Sequence, residues 1–379
     1  MDLLRGAVMI IMAIDHVRVY SGISPGGPDA GIFFTRWITH YCAPSFAFFA
    51  GTSAYLYFVK TSSTSVVARF LVTRGLILVL LEMTLIRFFW TFNVNYSYYS
   101  MAGVIWMLGW CMVILAAFMR LKPSTIGIIG LVIIFAQQLF SFIPQMFPAS
   151  AQDSILKVFA FFYPAAPPGT LSGPFGLDRV FGIDILYVII PWIGVMMAGY
   201  WFGQILLLDA DKRKKLCLRI GVGAIVAFIV AGITIVLTGP VQERPFIFQL
   251  LGQQKYPPSQ LFLLMTLGPV IALAPWAEKV GGKFADAVKI IGRVPMFYYI
   301  LHILLIHLSA FVVNQILYGE ISQHWYESAP LVQVPEESRW GLPLLYLVWM
   351  VDVVMLYYAC RWYAGYKARH PEIQLLKYL

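Results

Sequence analysis

Apolar residues along this chain gather in ten long runs, separated by shorter stretches where Lys, Arg, Pro and Gly collect. Crossing about 30 Å of hydrocarbon at 1.5 Å per residue takes roughly 20 mostly apolar helical residues. The runs cover residues 3–21, 36–59, 75–93, 101–119, 124–142, 184–207, 219–238, 259–278, 294–317 and 342–362. The pattern predicts an all-α polytopic transmembrane bundle of about ten helices. It reads as a single domain over 1–379, with no soluble domain, low-complexity tail or internal repeat. The first run has the position of a signal peptide. However, Asp15-His16-Val17-Arg18 interrupts it and no small-residue cleavage site follows, so it reads as the first helix. The longest interruption, 143–183, carries Phe161-Phe162-Tyr163-Pro164 and Pro167-Pro168-Gly169, which predict a loop lying on or dipping into the membrane surface.

Composition agrees: 60% of the 379 residues are hydrophobic and 12% charged, with mean hydropathy +0.77, against roughly half and a quarter in ordinary globular chains. A net charge of +9 would suggest nucleic acid in a soluble protein, but its distribution points to a bilayer. With the N-terminus inside, the cytoplasmic side receives Arg5; Lys60, Arg69 and Arg74; Arg120 and Lys122; residues 212–215 with Arg219; Lys279, Lys283, Lys289 and Arg293; and Arg361, Lys367, Arg369 and Lys377. The smaller remainder, Arg18, Arg36, Arg87, Lys157, Arg179, Arg244, Lys255 and Arg339, falls outside or in outer helix halves. This asymmetry predicts N-in, C-in and an even helix count. Cys42, Cys111, Cys217 and Cys360 lie far apart, which indicates neither a metal site nor a disulfide framework.

Function must be sought in polar groups that hydrocarbon excludes, since each ionisable residue in a spanning helix costs at least about 2.5–3.5 kcal/mol. The first helix carries Asp15 and His16 on different faces. Asp15 can pair with Arg18 at i+3, while His16 continues the stripe of Arg5, Met9 and Met12. His40 lies in the outer half of the next run, close before Pro44, and is expected to face His16. Two imidazoles at one depth suggest proton chemistry near neutral pH. The run Gly51-Thr52-Ser53-Ala54 predicts close helix packing. Glu82 and Arg87 lie too far around their helix to pair with each other, so each is expected to find a partner on another helix. The aromatic stretch from Trp90 through Asn93 to Tyr96 either lines an outer cavity or belongs to an interfacial belt. Near the C-terminus, Tyr298 and Tyr299 share the face of His302, Arg293 sits at the inner mouth, and His307 reads as structural. Nucleotide-binding loops, nucleophile elbows and zinc-protease helices are absent from the sequence.

Leu3-Leu4-Arg5-Gly6 precedes an apolar helix ending in a polar pair, and a Pro-containing helix ends Phe48-Phe49-Ala50-Gly51-Thr52-Ser53. Further on stand Ile190-Pro191-Trp192-Ile193-Gly194, Tyr256-Pro257-Pro258-Ser259 with Thr266-Leu267-Gly268-Pro269, and Gly292-Arg293-Val294-Pro295 through His302. Together these resemble the catalytic domain of heparan-α-glucosaminide N-acetyltransferase and its bacterial relatives over nearly the whole chain. The resemblance implies acetyl transfer from cytoplasmic acetyl-CoA to a sugar amine or hydroxyl across a bacterial inner membrane. His16 falls where the lysosomal member has a functional Asn, and His40 where it has an Asp. That member's proposed catalytic His lies in the intervening loop, whereas Ser21 to Thr35 here contains none.

On this reading His16 or His40 is the general base and Asp15 orients an imidazole. Arg5, Arg74 and Arg293, with Tyr299 and His302, hold the donor, while Glu82, Arg87 and Asn93 meet the acceptor. No metal is expected, and homo-oligomerisation stays open. The alternative from another class is a transporter or flippase for a small polar or lipid-linked solute, with helices broken at Pro44, Pro191 and Pro295.

Overall fold

A computed structural model of the protein describes all residues except 27, 165–176, 374, 375 and 377–379; Pro167-Pro168-Gly169 and Lys377 therefore lie outside the described residues. The fold is dominated by helices: α1 (Asp2–Tyr20), α2 (Ala30–Thr39), α3 (Cys42–Thr61), α4 (Thr64–Leu81), α5 (Arg87–Thr91), α6 (Val104–Phe118), α7 (Pro123–Phe135), α8 (Ala149–Phe159), α9 (Trp192–Leu206), α10 (Ala210–Thr238), α11 (Phe246–Leu251), α12 (Gln260–Ala277), α13 (Lys283–Arg293), α14 (Pro295–Tyr318) and α15 (Leu342–Arg369). Each apolar run of the sequence holds a helix. Among the described residues six stretches are long and apolar enough to cross a membrane: Ala30–Thr61, Thr64–Thr91, Ala210–Thr238, Gln260–Ala277, Pro295–Tyr318 and Leu342–Arg369. A seventh is reached if α7 and the 3₁₀ turns Gln137–Met146, bent 77° from it, form one span. Their length and apolarity fit an all-α membrane bundle.

Several details depart from the sequence reading. The helix expected from 75 begins at Thr64, and the run expected from 184 begins as a strand, turning helical only at Trp192. A small sheet, β1 (Met101–Ala102), β2 (Asp178–Val180) and β3 (Ile183–Ile185), ties the two sides of the loop region together, in the order β1-β3-β2. Strands this short leave no periodicity in a sequence. Pro191 precedes α9, Pro295 opens α14, and Pro44 lies in the first turn of α3 after a break between Thr39 and Cys42. Prolines in a first turn forfeit no intrahelical hydrogen bond, so these three start helices, Pro44 doing so just after the break inside the stretch Ala30–Thr61.

Two close approaches position the site. α13 is a short charged helix packed across the start of α1. A Cβ at Gly6 would stand 2.0 Å from the Val288 carbonyl oxygen, and one at Gly292 would stand 1.9 Å from that of Asp2. Bare glycines on both sides let the backbones meet, which brings Arg5 and Arg293 to one cavity mouth. The second is the expected packing of Gly51, whose Cβ would stand 1.9 Å from the Met196 carbonyl oxygen of α9.

Candidate active site

Among the described residues, two neighbouring cavities between the helices hold most of the candidate site residues. The larger, about 380 Å³, is lined by Arg5, Arg74, Arg293 and Lys367, with Ser53, Tyr57 and an apolar wall that includes Met9, Phe49, Leu71, Leu108, Met112 and Met296. Arg5 is committed within the fold: Nη1 donates to the Gly292 carbonyl at 3.0 Å, and Nη2 donates to Ser53 Oγ at 3.3 Å. Its Nη1 also lies 3.4 Å from Asp2 Oδ1. Arg293 reaches Asp2 only at 3.9 Å and is largely exposed. The Arg74 Nε is buried with no hydrogen-bond partner, and a buried unpaired guanidinium nitrogen is a costly arrangement unless a ligand completes it.

The smaller cavity, about 90 Å³, is lined by Asp15, His16, Glu82, Trp90, Tyr187, Lys255 and Tyr256. Phe46 and Tyr299 border both cavities. They form a shared wall between a cationic chamber and one rich in proton-transfer groups.

His16 does not meet His40. Its Nδ1 lies 2.6 Å from His302 Nε2, with the rings stacked at 4.8 Å between centroids. His302 is fully buried, and its Nδ1 stands 2.5 Å from the Tyr299 carbonyl and 3.1 Å from that of Tyr298. A carbonyl only accepts, so His302 Nδ1 carries hydrogen. In neutral His302, Nε2 is therefore the acceptor and His16 Nδ1 the donor. Neutral His16 thus keeps its lone pair on Nε2 while the residue borders the smaller cavity. His302 lines neither cavity and backs His16 instead of touching the donor chamber. Tyr298 and Tyr299 flank it with ring centroids 5.4 and 5.2 Å away, as their spacing predicts.

His40 lines neither cavity. Its ring packs against Phe262 at 5.3 Å, and neither nitrogen has a partner among the described residues. The break between α2 and α3 turns it away from the position that depth alone suggested. Asp15 pairs with Arg18, Nε to Oδ1 at 2.9 Å. Arg18 also donates to the Ile23 carbonyl at 2.7 Å, which fixes the carboxylate beside His16 without joining them.

Glu82 and Arg87 do not form salt bridges. Glu82 opens a π-helical turn, Glu82–Ile86, a local widening often found at functional sites. Its carboxyl meets the backbone N–H groups of Ile105 and Trp106 at the start of α6, where a helix dipole favours negative charge. A Cβ at Gly103 would sit 2.2 Å from Glu82 Oε1, so only glycine leaves room for that cap. Arg87 is buried and donates to the carbonyls of Tyr99 at 2.8 Å, Asn95 at 2.6 Å and Asn93. It folds the 93–100 loop, and Asn93 Oδ1 accepts from the Asn95 N–H. Neither lines a cavity, because both are consumed in holding that loop. His307 Nδ1 meets the Phe89 carbonyl at 2.9 Å, between helices as expected.

The sequence reading missed Lys255, Tyr187 and Lys367. Lys255 and Lys367 had been counted only as loop and anchoring charges. The available signal was the Tyr256-Pro257-Pro258-Ser259 motif, which places Lys255 at the cavity. Burial opposes the Lys255 ammonium, but Tyr256 and Asp15 outweigh it and raise its pKa above the ordinary lysine value.

Comparison with curated proteins finds no match. A family model described as heparan-alpha-glucosaminide N-acetyltransferase, catalytic, matches residues 1–234. That span holds Arg5, Asp15, His16, Arg74 and Glu82, while Lys255, Tyr299 and Lys367 complete the same cavities from beyond it and His302 backs His16.

Proposed function

From the premise that the chain belongs to the heparan-alpha-glucosaminide N-acetyltransferase catalytic family, and is thus an acetyltransferase of the membrane, we propose that it moves acetyl from cytoplasmic acetyl-CoA to a sugar amine or hydroxyl on the other side. The observation carrying this reading is the pair of cavities that share Phe46 and Tyr299 as a wall. Acetyl-CoA supplies the activated acyl group. The cationic chamber suits it: Arg74, Arg293 and Lys367 match phosphates, for which Arg offers paired donors, and the apolar wall suits an extended pantetheine arm.

In the smaller chamber His16 Nε2 takes the proton shed by the acceptor nitrogen or oxygen as its bond to the acetyl carbon forms. The thioester C–S bond breaks, CoA leaves as the thiolate, and the proton on His16 passes to that sulfur to give the free thiol. His302 holds His16 in the tautomer that makes this possible, and the Asp15 carboxylate favours the imidazolium that results. A positioned base removes the need for a preformed alkoxide at neutral pH and can convert an ammonium to the attacking free amine. Residues on both sides of position 234 build each chamber, which supports reading the chain as one domain.

Purified protein in liposomes should transfer acetyl from acetyl-CoA on the N-terminal side to an amino sugar confined to the opposite side. Movement of intact solute without acetylation would establish the transporter reading instead. Pro44, Pro191 and Pro295 sit at helix starts, so that reading rests instead on the break between Thr39 and Cys42 and on the 77° bend after α7.

The bacterial inner membrane and the N-in, C-in orientation complete the proposal. Four cations, Arg5, Arg74, Arg293 and Lys367, share one chamber, as the positive-inside rule expects of a cytoplasmic mouth. Cysteines introduced at 208–218 and near the C-terminus should label from the cytoplasm, and those at 149–159 from outside. Labelling of 208–218 and 370–373 from opposite faces would overturn the even-helix arrangement.

A further inference from the structure

The smaller chamber contains a cation that proton transfer does not use. Lys255 lies in the turn between α11 and α12, which is fixed by the Ser259 N–H donating to the Gln254 carbonyl at 3.0 Å and Gln254 Nε2 donating to the Tyr256 carbonyl at 3.1 Å. Its Nζ stands 5.2 Å from the Tyr256 ring centroid and 5.9 Å from that of Tyr187. Among the described residues Lys255 makes no ion pair. Asp15 is held by Arg18 at 2.9 Å, and Glu82 is turned to the amides of α6. The Tyr256 hydroxyl donates to that of Tyr187 at 3.5 Å, which leaves the Tyr187 proton free to point at a third group. An ammonium and a phenol donor thus converge, half-buried, in the chamber that holds His16. Tyr256 and Asp15 keep the Lys255 ammonium charged there, and a substrate anion would supply the direct ion pair that it lacks among the described residues.

We propose that Lys255, with Tyr187 and Tyr256, binds an anionic group of the acceptor, so that the preferred acceptor is an acidic amino or hydroxyl sugar bearing a carboxylate or phosphate near the acylated position. This rests on the acetyl-transfer reading for its substrate but not for its test.

Calorimetric binding to the purified full chain compares glucosamine, glucosamine 6-phosphate and muramic acid, which carry no anion, a phosphate and a carboxylate. At least one acidic sugar binds ten-fold or more tightly than glucosamine, and which one does identifies the anion. Lys255→Gln removes that advantage, leaves glucosamine unchanged and leaves acetyl-CoA affinity intact, while Lys255→Arg retains most of it. Equal binding of all three sugars to the wild type, or an advantage that survives Lys255→Gln, overturns the assignment. Acetyl transfer is followed in parallel with the same sugars. Charge-dependent binding without transfer counts against acyl transfer alone. An equal drop in turnover on all three sugars, with unchanged binding, makes Lys255 a contributor to His16 chemistry and refutes anion recognition.

Discussion

His16→Ala is expected to cut turnover by about 10²–10⁴-fold, the usual contribution of a positioned base, while acetyl-CoA binds as before. The loss belongs to kcat because the imidazole acts on the acceptor proton as the new bond forms, not on the resting donor. The geometry supplies a paired control. His40, of the same residue type and similar expected depth, packs on Phe262 and lines neither chamber, so His40→Phe leaves turnover within a few-fold. Steady-state kinetics with donor affinity measured separately decides the matter. Near-normal turnover in His16→Ala would move the base elsewhere, with Asp15, Glu82 or His302 next to be tested.

The second large effect falls on the donor chamber. Charge-assisted hydrogen bonds contribute about 1.5–3 kcal/mol each, which corresponds to roughly ten- to hundred-fold in Kd. Arg74→Gln should show the greatest loss of acetyl-CoA affinity, since its buried Nε has no hydrogen-bond partner among the described residues. Arg293→Gln and Lys367→Gln should show smaller ones, Arg293 because its largely exposed side chain is screened by solvent. Arg5 is a poorer probe: its bonds to Gly292 and Ser53 also hold α13 against α1, so Arg5→Gln mixes binding with packing. Donor affinity unchanged in Arg74→Gln, Arg293→Gln and Lys367→Gln alike would reduce these cations to topological anchors.

The bundle was legible in the sequence because lipid demands long apolar runs: α12 and α14 begin and end close to the expected positions, and α15 begins where expected but runs on to Arg369. α13 escaped because its period is that of a surface helix carrying Lys283, Asp286, Lys289 and Arg293 between two spans. The partner of His16 escaped for another reason. His302 is 286 positions away, and depth alone cannot say which of several imidazoles turns toward it. Arg87 misled because a charge in a spanning helix suggests function, whereas here it satisfies loop carbonyls. The two arginines beside glycines, Arg5-Gly6 and Gly292-Arg293, were noticed separately, and only the three-dimensional arrangement shows that these segments touch.

The partition formed by Phe46 and Tyr299 bears on bioenergetics. If only a two-carbon fragment passes from one compartment to the other, the spent carrier stays where metabolism can recharge it, and no coenzyme is lost to the exterior. The drop in group-transfer potential from thioester to amide or ester then drives the modification, so the reaction draws on neither a proton nor a sodium gradient. A cell could decorate its outer glycans by this route while its membrane potential stays untouched.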